Sequence, residues 1–283
     1  MKRTLSIILT LLVTAAALKA QGKVSTRSHR LGDFCDKVTQ VVLSGNSILS
    51  DALRQEVANC WTASAYELCT LEQFEKRKTS DSFYFLILLE SRFKDEETPG
   101  VSFLNLLKGG PEAEKGIGAM FEVASLPLMA AMGGDGRELT YLGGLVKTIQ
   151  EYTLAAMESE NAAYRMENWV NKRFQHYGKM EQILIGQDDL ASSMSDKDLQ
   201  KLAGKDIHIQ DGGQVTQAYL ALTPNTLTGY VAAPVCPGKG SYCYKMLFDA
   251  ETQSLYYISR HKIDGDKGVG FLPSDLKRLA RSR

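Results

Sequence analysis

The stretch FYFLILLESRF, residues 83–93, the polar turn KDEETPG, residues 94–100, and VSFLNLL, residues 101–107, together decide the fold class. Aromatic and β-branched side chains suit a pleated strand, and Pro99-Gly100 supplies turn chemistry, so the segment predicts a β-hairpin. Both strands are apolar at nearly every position. A strand with one wet face alternates between apolar and polar residues; these two do not, so the sheet is expected to be covered on both faces and central to its domain.

Toward the amino end, Thr70 with Gln73 forms a capping-box pattern that opens a short helix through Phe74. Trp61 to Leu68 reads as a strand. Asn46 or Ser47 caps a helix carrying Ile48, Leu49, Leu53 and Val57. Leu31, Phe34, Cys35, Val38 and Val42 recur at helical spacing and predict a first helix, preceded by a polar, flexible segment over residues 21–30. Toward the carboxyl end, Gly109-Gly110-Pro111 ends the hairpin, Phe121 to Met129 predicts another strand, and Gly133-Gly134-Asp135-Gly136 is a break. Leu142, Leu145, Val146, Ile149 and Ala156 then mark a long amphipathic helix over residues 138–158. Polar residues Glu158 to Asn161 suggest a boundary.

The second half starts with Trp169, Val170 and Phe174 and continues with a strand over Met180 to Ile185 and a helix capped by Ser195. Thr226 to Ala233, Tyr242 to Phe248 and Ser254 to Ile263 are three further strands, and Ser274 is expected to cap a final helix with Leu276 and Leu279. The expected fold is therefore α+β. It has two subdomains, residues 31–160 and 161–283, each with a mainly antiparallel sheet and packed helices. Both contain a hairpin and a closing helix, but no residue-level repeat relates them.

At the amino end, Lys2 and Arg3 precede an uncharged run from Leu5 to Leu18 and a small residue at Ala20, the three-part pattern of a signal peptide over residues 1–20. Cleavage is expected between Ala20 and Gln21. The run falls short of the about 20 apolar residues that a spanning helix needs. No cysteine follows it to accept a lipid, and the longest later apolar stretch, Phe83 to Leu89, suits a strand. A periplasmic or secreted protein with no transmembrane segment after cleavage is the expectation.

Loss of Lys2, Arg3 and Lys19 leaves 30 basic residues against 33 acidic ones, a balance that argues against nucleic acid as a partner. The basic cluster Lys277, Arg278, Arg281 and Arg283 fits a solvated terminal helix. Five cysteines remain, at 35, 60, 69, 236 and 243. Cys236 and Cys243 flank the turn-forming Pro237-Gly238-Lys239-Gly240 and are the expected disulfide; the pairing of Cys35, Cys60 and Cys69 is left open.

Catalytic templates fail on named residues. The loop from Lys108 to Gly118 follows a strand, but its Lys115-Gly116 order and its two glutamates do not match a phosphate-binding loop. Asp264-Gly265-Asp266-Lys267-Gly268 begins like a calcium loop but lacks the later ligands, with Val269 and Ser274 at positions that require Gly and Glu. His29, His176, His208 and His261 have no paired spacing, so no local zinc motif or cofactor pattern is read. The most suggestive surface is aromatic: strand alternation puts Tyr242, Tyr244, Met246 and Phe248 on one face, either core or a surface that stacks on a ligand or partner.

The segments Trp61 to Phe74, Tyr84 to Gly110 with its Glu97-Thr98-Pro99-Gly100 turn, and Tyr244 to Ile263, including Tyr244-Lys245-Met246-Leu247-Phe248-Asp249, resemble exported proteins of unknown function from Bacteroidota bacteria. Gln21 as the first mature residue is similar to many exported proteins of that group. The resemblance implies an envelope location in a Gram-negative cell and brings no activity. Three classes of function stay open. The first is a non-enzymatic protein that binds an unknown protein or small-molecule ligand, with Tyr242 and Tyr244 as candidates. The second is an enzyme with a site near the Gly109 to Gly118 loop, using Lys108, Glu112 or Lys115. The third is a structural surface-assembly component of unspecified oligomeric state. The mass of the protein recovered from its own cells is expected to correspond to a chain starting at Gln21; a mass retaining Met1 would refute the processing.

Overall fold

A computed structural model describes residues 26–45, 47–176, 182–202 and 206–281, so the processing site at Ala20 and Gln21 lies outside the described residues. The first half contains α1 (Arg27–Leu31), β1 (Val38–Leu43), α2 (Ser47–Cys60), β2 (Tyr66–Thr70), α3 (Leu71–Arg77), β3 (Phe83–Ser91), β4 (Val101–Lys108), β5 (Phe121–Ala130) and α4 (Arg137–Glu158). Two helices, α5 (Glu160–Tyr164) and α6 (Met166–His176), lead to the second half. That half runs β6 (Gln182–Gly186), α7 (Asp196–Leu202), β7 (Ile207–Gln210), α8 (Gly212–Leu220), β8 (Thr226–Ala232), β9 (Tyr242–Asp249), β10 (Leu255–Lys262) and α9 (Pro273–Arg281).

The fold is α+β with two sheets of five strands, ordered β2-β1-β3-β4-β5 and β7-β6-β8-β9-β10. Each sheet is mixed. β1 lies parallel to β2 and β3, as β6 does to β7 and β8, while the last three strands of each sheet are antiparallel. The two halves thus repeat one β-α-β-α-β-β-β-α topology, down to its register. Val38 faces Phe83 as Gln182 faces Thr226, and Thr39 faces Tyr66 as Ile183 faces Ile207. The Thr39 N–H donates to Ala65 O at 2.8 Å and the Ile183 N–H to Asp206 O at 2.7 Å; the Gly109 N–H donates to Phe83 O at 2.9 Å and the Ala250 N–H to Thr226 O at 2.8 Å. Among the residues matched by these strand pairings, Leu106 and Leu247 are identical and the others differ, which is why the repeat has no residue-level trace.

The hairpin of β3 and β4 is central to its sheet and buried on both faces, as its unbroken apolar run predicts. Tyr84 and Leu86 enter the main core, whereas Phe85 and Ile87 pack with Val42, Phe74 and Met120 on the other face. The main core lies between the sheets. It joins Leu53 and Val57 of α2 and Tyr141, Leu142, Leu145 and Ile149 of α4 to Tyr230, Tyr244, Met246 and Phe248 of the second sheet. Tyr141 stacks on Tyr230 and packs on Phe248, with ring centroids 4.6 and 4.9 Å apart. Gly144 lets α4 come this close, because a Cβ there would stand 2.5 Å from Gln253 O.

Several sequence expectations change in the fold. The residues read as a helix from Leu31 to Val42 split into the end of α1, a 3-10 turn at Phe34–Asp36 and strand β1. Thr39, Gln40, Val41 and Val42 are all buried, so β1 shows no two-residue alternation and its apolar spacing imitates a helix. Gln40 tolerates burial because its amide reaches Glu67 at 2.9 Å and its carbonyl accepts from Arg77 at 2.8 Å. Trp61 ends α2 and packs edge-on to Phe34, so the strand expected from Trp61 begins only at Tyr66. Helix α1 falls in the segment read as flexible and is held by Glu160, whose carboxylate accepts the N–H groups of Arg27 and Ser28 at 3.0 and 2.8 Å. The final helix begins at Pro273, ahead of the expected cap Ser274; Asp275 takes the Leu272 N–H at 2.9 Å. The capping boxes and caps at Thr70 and Ser195 form as expected.

The expected Cys236–Cys243 disulfide is absent, and all five cysteines are free thiols. Alternation along β9 turns Cys243 into the core under the final loop, where its sulfur accepts the Gly270 N–H at 3.2 Å. Cys236 is exposed. The turn between them closes on itself, with the Ser241 N–H donating to Gly238 O at 3.3 Å and the Gly238 N–H to Ser241 Oγ at 3.1 Å, and leaves Cys236 outside it.

On that same outer face of the second sheet, Lys245 is buried under α9 and donates to Asp275 Oδ2 at 2.7 Å. Its Nζ also lies 2.7 Å from His261 Nδ1, while His261 Nε2 is 2.9 Å from Gly268 O. An ammonium only donates, so Nδ1 must be the acceptor and Nε2 the protonated nitrogen, a neutral tautomer. Burial, opposed by the bond to Gly268 and reinforced by Lys245, lowers the His261 pKa. A folded pKa below the unfolded one contributes stability that is present above the unfolded value, about 6.5, and lost as pH falls through the folded value. Urea unfolding from pH 8 to 5 is expected to show a greater loss of stability below about pH 6.5 for the parent than for His261→Gln; parallel curves would refute this.

Candidate functional site

The sheets do not meet along their whole length. Where α4 ceases to fill the space between them, a cleft of about 600 Å³ opens between two strands that end their sheets, β5 and β10. β5 contributes Glu122 to Pro127 along one wall, and Ile258 and Arg260 of β10 line the other. Pro127 has no N–H to give to a further strand, which suits a position at a sheet edge. Phe103 and Tyr244 meet at 5.4 Å across the sheets and, with Phe93 and Tyr152, make the aromatic lining.

The ends of the cleft are built from side-chain-to-backbone hydrogen bonds. Arg27 closes one end: its Nε donates to Ala163 O at 2.8 Å and its Nη2 to Glu122 O at 2.7 Å, with the guanidinium over Phe121. Near the other, Asn171 of α6 covers the β10 backbone, accepting the Ile258 N–H at 2.8 Å and donating to Ile258 O at 3.0 Å. α6 therefore shields part of an otherwise open sheet edge, and its first residues, Met166 to Asn168, reach the cleft.

Tyr244 is the distinctive residue. Its side chain is 4% exposed, yet its hydroxyl has no hydrogen-bond partner. Burial pushes its pKa up to about 12, against the opposing effect of Arg260, and Arg260 in turn is raised by Tyr244. The two thus act on each other at close range, the guanidinium toward the hydroxyl oxygen, while the hydroxyl makes no well-formed hydrogen bond of its own. Arg260 is half-exposed, lies over the Tyr242 ring at 5.4 Å and has Glu167 only at 3.9 Å. Buried hydroxyls are normally paired, so an orphan one beside a loosely held guanidinium in a concave site marks a place for an acceptor from outside.

Of the four candidate binding residues, Tyr244 lines this cleft and Tyr242 packs beside it on Phe93 at 4.9 Å. Met246 and Phe248, further along the same face, are core. Lys108 is engaged elsewhere: its Nζ donates to both Asp33 oxygens at 2.8 Å and to Arg30 O at 2.6 Å. Although burial would raise Asp33, hydrogen bonds from Lys108, Lys37 and Tyr84 hold it down at about 2. Lys115 and Glu112 are exposed on a 3-10 turn, and neither lines the cleft. Arg27, Phe93, Phe103 and Arg260 had no local signal, because each gains its role from a partner far away in the chain.

Two smaller depressions lie near the loops. One, about 310 Å³, separates the β3–β4 turn from the β8–β9 turn and includes exposed Cys236; the other, about 230 Å³, surrounds Arg137. There Arg137 grips the buried Asp189 with both contacts near 3 Å, and burial, opposed by Arg137, raises Asp189 to about 6. This pair joins the halves. Among the described residues, no group of His, Cys, Asp and Glu is arranged to hold a metal ion, and no helix is long and apolar enough to cross a membrane.

An unpaired buried hydroxyl costs about 1–3 kcal/mol. Tyr244→Phe is therefore expected to raise the thermal midpoint of the ligand-free protein by a few degrees, measured by calorimetry. A lower midpoint would show that the hydroxyl is satisfied within the fold. Comparison with known families, curated proteins and solved structures found no match, so the site is read from its own geometry.

Proposed function

We propose that this is an exported, non-enzymatic binding protein whose cleft between the two sheets receives a small ligand. The buried, unpartnered hydroxyl of Tyr244, set in an aromatic cleft of about 600 Å³, carries this reading. That volume is in the range of about 300–1,000 Å³ usual for small-molecule sites, and the lining combines aromatic and aliphatic side chains with arginines and acids, so it offers both an apolar surface and directed polar groups. The amino-terminal signal pattern and the resemblance to exported proteins support the envelope or extracellular location.

Nucleophilic chemistry has little support from the thiols nearest the cores. Burial pushes both Cys60 and Cys243 up to about 11, away from the thiolate form that attacks substrates. The loop residues Lys108, Glu112 and Lys115 do not converge on a common point, which leaves the enzyme alternative without a constellation. Assembly has one observation in its favour: β2 ends its sheet with Tyr66 and Leu68 exposed, an arrangement that invites strand pairing.

Native mass spectrometry of protein purified without denaturation separates these readings. A one-to-one adduct released on denaturation is expected, and Ser125→Trp, which places an indole on the cleft wall, is expected to abolish it while the variant unfolds at a similar temperature. An adduct retained by Ser125→Trp would refute the cleft as its site. A bare homo-oligomer would favour assembly.

A further inference from the structure

We propose that the cleft selects an amphipathic organic carboxylate, with the head group held by Tyr244 Oη and the Arg260 guanidinium and the apolar body lying along Phe93, Phe103 and Tyr152. This rests on the reading of the cleft as a ligand site and adds the chemical class of the ligand.

The head-group assignment comes from the donors left over. Of the three arginines that line the cleft, Arg165 is exposed between α5 and α6, and Arg27 is spent on the carbonyls of Ala163 and Glu122, at 2.8 and 2.7 Å. Arg260 is not. Its nearest acid, Glu167, stands 3.9 Å away, and both side chains are about half-exposed, so a ligand oxygen can replace that weak contact at little cost. Beside it, the Tyr244 hydroxyl is buried and unpartnered. A guanidinium can only donate, and a phenol next to it satisfies itself best by donating as well, so the pair favours a group with two acceptor oxygens. A carboxylate meets this requirement; an ammonium or an amide nitrogen would leave a donor facing Arg260.

The body of the ligand is placed by the length of the cleft. Phe103, which touches Tyr244, pairs in register with Pro127, and Glu122 lies five residues back along β5. At about 3.3 Å per residue these ends are roughly 16 Å apart. Glu122 is thus well removed from the proposed head group, and its charge does not oppose an anion bound at Arg260. Phe103, Tyr152, Val123, Leu126 and Pro127 supply the apolar part of the lining, beside polar Ser125 and Asn168, and give an apolar chain or ring side chains to pack on.

The test uses octanoate and octanamide, which share a chain and a shape but differ in head-group charge, titrated into the ligand-freed protein by ligand-observed NMR. Octanoate is expected to bind with one-to-one stoichiometry and at least tenfold more tightly than octanamide. Arg260→Met is expected to remove that preference by weakening octanoate at least tenfold while octanamide binding changes little. Tyr244→Phe, a variant expected to be no less stable than the parent, should weaken octanoate severalfold and provides a check independent of Arg260. Equal binding of the two probes, with both lost in Ser125→Trp, would overturn the carboxylate assignment and leave the cleft as a ligand site. Binding of neither probe, or binding that survives Ser125→Trp, would overturn the proposal and count against the cleft itself.

Discussion

Helix α4 belongs to the first half by chain order, but its packing serves both halves. Tyr141, Leu142, Leu145, Val146 and Ile149 are each at most 1% exposed, and they lie between a sheet that precedes the helix and a sheet that follows it. Neither sheet could keep its inner face dry alone: the second presents Tyr230, Tyr244, Met246 and Phe248 to this space and has only the short α8 and one side of α6 there from its own half. At about 25 cal/mol per Å² of apolar surface, covering two sheets with one helix is a substantial cohesive contribution. The closeness it demands explains a glycine in the middle of a helix, since Gly144 is where α4 meets the Gln253 backbone.

The same packing relates the repeated topology to the cleft. In each half the closing helix and the first crossover helix share a core. For the first half that is the central core, with α2 and α4; for the second it is the outer core, with Leu199 of α7 and Leu276 and Leu279 of α9. The halves therefore stack in the same sense, helix layer of one against the other face of the next. One helix of finite width cannot fill the whole gap between two twisted sheets. Space is left at the β5 and β10 edges, and there the lining is aromatic rather than densely packed, with a tyrosine hydroxyl that finds no partner in the chain. Arg137 and Asp189, Tyr230 with Leu128 O at 2.5 Å, and Lys262 with Asp95 at 3.0 Å fix the halves around it, which favours a preformed site.

Local chemistry was legible wherever a short segment contained both the signal and its cause. The β3–β4 hairpin carries its own turn, Thr70 and Gln73 satisfy each other within one helical turn, and α4 displays its apolar stripe over 22 residues. β1 was misread for a physical reason: a strand flanked on both sides and covered on both faces loses alternation, and its residues then fit a helical spacing as well. β7, α8 and the four parallel pairings were not anticipated, because parallel partners are joined through crossovers and leave no turn signature between them. The disulfide failed for a related reason. Seven residues of separation and a turn were visible, but the direction of each cysteine was set by strand alternation and by Gly270, 27 residues beyond Cys243.

By itself the sequence determined the α+β class, the central hairpin, the long helix, most carboxyl-terminal strands and the placement of Tyr242 and Tyr244 on one strand face. These are periodic or local properties, dictated by side-chain volume, backbone preference and the alternation of strands. Only the tertiary structure decided that the two halves share a topology, that one stretch of the tyrosine face is core while Tyr244 borders a cleft, and that Arg260, Arg27, Phe93 and Phe103 assemble around it. Those residues come from five separate elements and loops, and a hydroxyl is orphaned or paired according to what stands within about 3 Å of it, a property of packing that no local pattern encodes.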